Sequence, residues 1–175
     1  MSSERIWNFS TGRRFMGRID SGSDLIVAVE RLCERHAVVT ASLQVIGALS
    51  SATFGIYDQA QQVYITEQRT ASFEILACSG NVSRQNGRPC VHAQAALTDR
   101  EGRIVGGRLF RPTTVYAAEL VMQELIGVLL HRVYDEPTGM MLWQALGRES
   151  ALPLDDCASA DMLSDLKPHP DQGGK

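Results

Sequence analysis

Apolar side chains recur every three or four positions along residues 21–37, SGSDLIVAVERLCERHA, as on one face of a helix. Ser23 or Ser21 can cap the N-terminus of this segment, and Asp24 places a negative charge at the positive end of the helix dipole. Arginines gather at the opposite end, where a positive charge is favoured. The pattern therefore predicts one amphipathic helix near the start of the chain.

After this helix, the apolar positions change to the spacing and composition of strands. Residues 40–58 are rich in β-branched and aromatic side chains and predict two strands, separated by a turn near Gly47 and a Ser-Ser pair. Residues 115–130 fit either a buried helix or a buried strand followed by a short helix, and periodicity alone does not decide between them. Further strands are predicted for residues 61–70, 72–83, 91–98 and 103–110, with turns at residues 86–88 and 99–102.

The order of elements is a strand, a helix and then many strands with little further helix. This order predicts an α+β fold with a central, largely antiparallel β-sheet and few helices. Residues 1–146 are expected to form a single domain, and residues 147–175, with no sustained pattern, a flexible acidic tail. The edges of such a sheet need protection, which oligomerisation can supply.

The charge is divided unevenly along the 175 residues. Residues 135–175 contain eight acidic and three basic residues, whereas residues 1–134 contain 12 acidic and 14 basic ones. A domain with so small a positive excess is a poor match for nucleic acid, which requires clustered basic residues. The sequence also contains neither a long apolar segment nor a signal-peptide pattern, so we expect a cytoplasmic protein that does not bind membranes.

The predicted hairpin over residues 91–110 carries the most informative polar residues. His92 and Gln94 are two positions apart and therefore point to one face of their strand, and Arg108 follows a Gly-Gly pair on the next strand. A metal would require a third ligand, so a half-buried, hydrogen-bonded histidine is the simpler interpretation. Glu74 and Glu119 interrupt apolar runs and are further candidates for a ligand site, or for an ion pair with Arg108.

Several blocks in order resemble the PPC (plant and prokaryote conserved) domain family, of the type that stands alone in bacteria. These blocks include RRFMGRIDSGSDLIVAVERLCERHAV, ASLQVIGALSSATFGIYD, FEILACSGNVSRQNGRPCVHAQAALTDREGRIVGGRLF and AAELVM, and the likeness covers roughly residues 13–145. The resemblance implies an α+β fold assembled as a homotrimer. Plant members follow AT-hooks that contact DNA; this chain has only the short GRP core at residues 87–89, without the flanking basic residues that such a hook needs.

Stand-alone members of this family commonly read H-x-H on one strand and G-G-H on the next, which implies a three-histidine metal site. His92 is the only one of these positions retained here, because Gln94 and Arg108 occupy the other two. A permanently charged guanidinium repels a metal ion, so we expect no metal and no cofactor. The three side chains instead predict a preference for an anion or a carboxylate.

Three functions remain open from the sequence. The first is a non-enzymatic, oligomeric module that binds a small ligand or another protein and acts in regulation; a small anionic ligand is one candidate. The second is an enzyme acting on a small anionic substrate at a pocket formed by His92 and Arg108. The third is a DNA-associated regulatory protein. We expect the first, because no catalytic constellation is evident in the sequence.

Overall fold

The structure, a computed structural model, describes residues 5–146 together with the backbone of Lys167–Pro168. It confirms the predicted α+β fold, since one helix packs on a large, mostly antiparallel sheet. None of the helices in these residues is long and apolar enough to cross a membrane. The elements are β1 (Phe9–Ile19), α1 (Leu25–Arg35), β2 (Ala41–Asp58), β3 (Val63–Arg69), β4 (Phe73–Gln85), β5 (Arg88–Thr98), β6 (Ile104–Gly127), β7 (Leu129–Asp135), β8 (Met140–Leu146) and β9 (Lys167–Pro168).

Helix α1 is capped by Asp24 and not by Ser21 or Ser23, the two residues expected from the sequence. One carboxylate oxygen of Asp24 accepts a hydrogen bond from the Val27 amide at 2.8 Å, and the other accepts one from the Thr113 amide at 2.7 Å. The two carboxylate oxygens therefore cap the helix and tie it to β6 at once.

Strand β2 is one continuous strand of 18 residues, so the expected pair of strands with a turn is wrong. The ladder shifts register between Gln44 and Gly47, where Gly47 has a φ of +128°. A Cβ atom at this glycine would lie 2.2 Å from the carbonyl oxygen of Ala117 on β6. The glycine therefore bends the strand through a bulge and allows β6 to approach, without reversing the chain.

The ambiguous segment at residues 115–130 is strand up to Gly127, because β6 extends over 24 residues. It pairs with β1 on one side and with β2 on the other, which satisfies its backbone hydrogen bonds. Its side chains alternate between buried and exposed from Ala117 to Glu124, with Leu120 and Met122 inside.

The strand pairings close into a ring in the order β2, β4, β5 and β6, because β2 pairs with both β4 and β6. The apolar interior of this ring includes Leu43, Val82, Val91 and Leu97, and α1 packs on it through Val29 and its neighbours. One face of β5 thus belongs to the core, and the other face points outward. We refer to the outward face of β4, β5 and β6 as the outer face.

The β7–β8 hairpin lies across the outer face. At one end, Arg132 and Trp143 contact β4; at the other, the turn accepts hydrogen bonds on its Thr138 and Pro137 carbonyl oxygens from Tyr57 and Gln62. The predicted acidic tail, residues 147–175, lies outside the described residues except for Lys167–Pro168, whose backbone pairs in parallel with β3. The division at residue 146 stays a prediction.

Candidate functional site

Strand β5 separates its side chains cleanly between the core and the outer face. Val91 and Ala93 are buried in the core, while His92 and Gln94 share the outer face, as their spacing predicted, and Cys90 lies on that face too. Across the sheet, His92 lies opposite Asn81 of β4, so the two residues occupy one row of the outer face. The sequence pattern therefore placed these polar residues on the correct face of the strand.

Arg108 lies beside Gln94, because the two residues are direct partners in the β5–β6 ladder. The guanidinium of Arg108 stacks 4.9 Å from the centre of the Tyr64 ring and 5.1 Å from that of Phe110. Contacts of this kind fix the orientation of a guanidinium without consuming its hydrogen-bond donors. His92, Gln94 and Arg108 are thus brought together, and we call them the His92 cluster.

The Gly-Gly pair before Arg108 explains how β6 reaches this position. Gly106 and Gly107 have φ values of +156° and +144°. A Cβ atom at Gly106 would lie 2.0 Å from the Ala95 carbonyl oxygen, and one at Gly107 would lie 2.4 Å from that of Gly55. These glycines allow β6 to pack closely between β5 and β2, and so deliver Arg108 to the outer face.

An open groove of about 460 Å³ begins at the His92 cluster. Gln94 and Arg108 lie in its wall, and Met140 at the end of the β7–β8 hairpin covers part of it. His92 lies two residues from Gln94 along β5, opposite Asn81, whose side chain accepts a hydrogen bond from Arg132. Tyr57 and Tyr64 also line the groove.

His92 is neutral at physiological pH in this setting. Burial lowers its pKa from 6.5 to about 4, and the positive charges of Arg108 and Arg132 add to this effect. A neutral imidazole can donate one hydrogen bond and accept another. The charge of this part of the outer face therefore comes from its arginines and not from the histidine.

Arg132 was missed by the sequence analysis. It is only 7% exposed, and it donates hydrogen bonds to Asn81 Oδ1 at 2.7 Å and to the Met141 carbonyl oxygen at 3.0 Å. Its guanidinium also lies 5.6 Å from the centre of the Trp143 ring. An apolar-rich run such as LLHRVYD gives a weak signal for a buried arginine, since the alternation of β7 fits a surface position equally well.

Glu74 and Glu119 lie away from the His92 cluster. Glu74 is exposed and pairs across the sheet with Thr98 and Ala48, and Glu119 is exposed between Arg18 and Ile46. Within residues 5–146, no carboxylate forms an ion pair with Arg108. Arg108 is therefore held by aromatic rings and not by either glutamate.

The structure thus defines a class of protein, an α+β domain whose outer face carries an open groove lined by Arg108 and aromatic rings. The chain belongs to the Plants and Prokaryotes Conserved (PCC) domain family, whose model matches residues 8–126. This is the family, also abbreviated PPC, that the sequence blocks resembled. The match covers both the helix and the strands that carry the His92 cluster.

Two solved structures are similar over most of the chain. A metal-containing protein from Archaeoglobus fulgidus is 35% identical, with a TM-score of 0.77 over 81% of this chain and 99% of that one. A plant- and prokaryote-conserved (PPC) protein from Pyrococcus horikoshii is 31% identical, with a TM-score of 0.75 over 80% of this chain and 96% of that one.

A curated relative, the bifunctional protein GlmU from Synechococcus sp., is 30% identical over 126 residues. The match takes in 71% of this chain but 19% of that protein, so the chain spans about a fifth of the length of the curated relative.

The residues at the family's metal position do not fit a metal ion. Gln94 and Arg108 face each other across the ladder where the resemblance implies two histidines, and the remaining imidazole is close enough to Arg108 and Arg132 for their charges to lower its pKa. Within the described part of the chain, no three His, Cys, Asp or Glu side chains gather around a common point. A divalent cation here would meet two guanidinium charges and one strong ligand.

Proposed function

We propose that the protein is a homotrimeric, non-enzymatic binding module that takes a small anionic ligand at the His92 cluster and acts in regulation in the cytoplasm. The observation that carries this proposal is the state of Arg108, a permanent positive charge that lines an open groove without an ion-pair partner within residues 5–146. Gln94 beside it supplies an amide donor. A carboxylate or phosphate that enters the groove can form charge-assisted hydrogen bonds with both side chains.

The lowered pKa of His92 supports binding over catalysis. A general acid or base works best when its pKa lies near the working pH, and the pKa of this imidazole is about 4. At neutral pH, His92 can orient a ligand by a hydrogen bond but is a weak base. This favours a binding module over the alternative of an enzyme that uses the same pocket.

Ligand binding is tested by thermal unfolding in the presence of small carboxylates and phosphate, since a ligand that binds only the folded state raises the melting temperature. We expect concentration-dependent stabilisation that is lost in Arg108→Gln. Arg100→Gln is the matched control, because Arg100 is an exposed arginine in the β5–β6 turn, outside the groove lining. Equal stabilisation of both variants would show that the anion binds elsewhere.

Exposed apolar side chains on the surface formed by β1, β6 and β2 support the trimer. Met16 is 76% exposed and pairs with Val121, which is 37% exposed, and Ile46 nearby is 59% exposed. Contiguous exposed apolar residues of this kind mark interfaces. Light scattering should give a mass of about 58 kDa, three times the 19.2 kDa of one chain.

Ile46→Glu should lower this mass to that of a monomer if the surface is the interface. Ile104→Glu serves as control, because Ile104 is 70% exposed but lies at the β5–β6 turn. A trimer that survives Ile46→Glu would place the contact elsewhere.

A salt-dependent gel shift with duplex DNA would favour the third function, the DNA-associated regulator, because phosphate contacts produce a steep dependence on salt.

A further inference from the structure

Arg132 is an unusual residue to bury. The residue is 7% exposed, yet within residues 5–146 it has no carboxylate partner, and only neutral oxygens of Asn81 and Met141 accept its hydrogen bonds. Its Nε atom is buried and finds no acceptor among these residues. A buried charge without a counter-charge is costly, and a donor without an acceptor adds to the cost. Such a guanidinium suits a negatively charged, oxygen-rich ligand.

The position of Arg132 relates the site of such a ligand to the His92 cluster. Arg132 contacts Asn81, and Asn81 lies directly opposite His92 in the β4–β5 ladder. On the other side, Arg108 lies opposite Gln94, two residues along β5 from His92. His92 is thus flanked by the two arginines on one face of the sheet, and both charges act on its titration.

The charges of Arg108 and Arg132 also act on a second side chain of the outer face. Burial raises the pKa of Cys90, two residues from His92 on the outer side of β5, and the charges of Arg132 and Arg108 oppose this rise. Burial lowers the pKa of Arg132, and the charge of Arg108 adds to this effect. An anion placed between two guanidinium groups is attracted by both and offsets their mutual repulsion. Arg132 is largely shielded from water, which strengthens such an interaction on its side.

We propose that Arg108 and Arg132 together bind the terminal phosphate of a phosphate monoester, with His92 as a third, neutral donor between them. This inference rests on the proposed function. It specifies the ligand class and adds Arg132 of β7 as a second anion-binding residue. Guanidinium groups match the oxygens of a phosphate by forked pairs of hydrogen bonds, and the two charges balance a dianion. Three donor side chains also correspond to the three terminal oxygens of a phosphate monoester.

The test is isothermal titration calorimetry at pH 8 with inorganic phosphate, as the dianion, and with acetate, as a monoanion. For the unsubstituted protein, phosphate should bind at least about ten-fold more tightly than acetate, because it uses both arginines. Arg132→Gln keeps a donor for Asn81 but removes the charge, so this preference should fall to about two-fold or less while acetate affinity changes little. Phosphate affinity that is unchanged in Arg132→Gln would overturn the inference.

Arg132→Lys provides a second variant in case the glutamine disturbs the hairpin. It retains the charge without the Nε donor and the fork, so phosphate affinity should lie between those of the unsubstituted protein and Arg132→Gln. Phosphate affinity in Arg132→Lys equal to that of the unsubstituted protein would exclude a role for the guanidinium fork. Binding of both anions that depends on Arg108 but not on Arg132 would refute this inference alone, whereas binding of neither anion would refute the proposed function as well.

Discussion

Acidification from pH 7 to pH 5 should destabilise the folded protein through His92. Burial and the charges of Arg108 and Arg132 lower the pKa of His92 to about 4, whereas an imidazole in the unfolded chain has a pKa of about 6.5. Between these two values the unfolded state binds the proton more tightly. Stability that is fully present above pH 6.5 is therefore lost as the pH falls toward 4.

The size of this effect follows from the two pKa values. One pH unit corresponds to about 1.36 kcal/mol, so complete protonation would cost at most about 3 kcal/mol. At pH 5 the unfolded imidazole is almost fully charged and the folded one almost neutral, which gives about 2 kcal/mol. Solvent at the open side of the groove screens part of this interaction, and we therefore expect a loss of about 1 to 2 kcal/mol at pH 5.

Urea denaturation at pH 7 and pH 5, followed by circular dichroism at one protein concentration, measures this loss. His92→Gln should reduce the pH dependence by about 1 to 2 kcal/mol, because it removes the titrating group. His36→Gln is the control, since His36 is exposed at the end of α1 and should leave the difference intact. Equal pH dependence in His92→Gln and the unsubstituted protein would refute the reasoning.

Two further predictions concern positions that shape the sheet. Gly106→Ala should lower the free energy of unfolding by more than about 2 kcal/mol, since its Cβ would meet the Ala95 carbonyl oxygen at a positive φ, whereas Gly17→Ala, with open space around it, should change little. Urea denaturation checks both. Hydrogen bonds from Arg13 lower the pKa of Glu124 to about 2, so Glu124→Gln should reduce stability at pH 7 and flatten the decline between pH 4.5 and pH 2. An acid-unfolding curve unchanged by Glu124→Gln would contradict this.

Local signals in the sequence predicted the part of the site that lies on one hairpin. Alternation along residues 91–98 placed His92 and Gln94 on one face, and the acidic turn before Arg103 joined β5 to the strand with Arg108. These features depend on neighbours in the chain, so a local pattern can reveal them. The family resemblance indicated which positions to compare, and the family match confirmed that resemblance.

The features that the sequence did not show depend on contacts between residues far apart in the chain. Arg132 contacts Asn81, opposite His92, only because β7 contacts β4, a strand that lies about 50 residues earlier in the chain. The continuity of β2 depends on Gly47 fitting against β6, and the strand at residues 115–127 depends on partners on both sides. Glu74 and Glu119 interrupt apolar runs because strands alternate, and both face solvent.

The central claim is that the outer face favours anions over metal ions, and it is tested most directly by two separate calorimetric titrations of metal-free protein, one with inorganic phosphate and one with Zn²⁺. The account predicts saturable phosphate binding that Arg108→Gln abolishes, and no stoichiometric zinc binding that depends on His92. Stoichiometric zinc binding that disappears in His92→Ala, with no heat from phosphate, would contradict it.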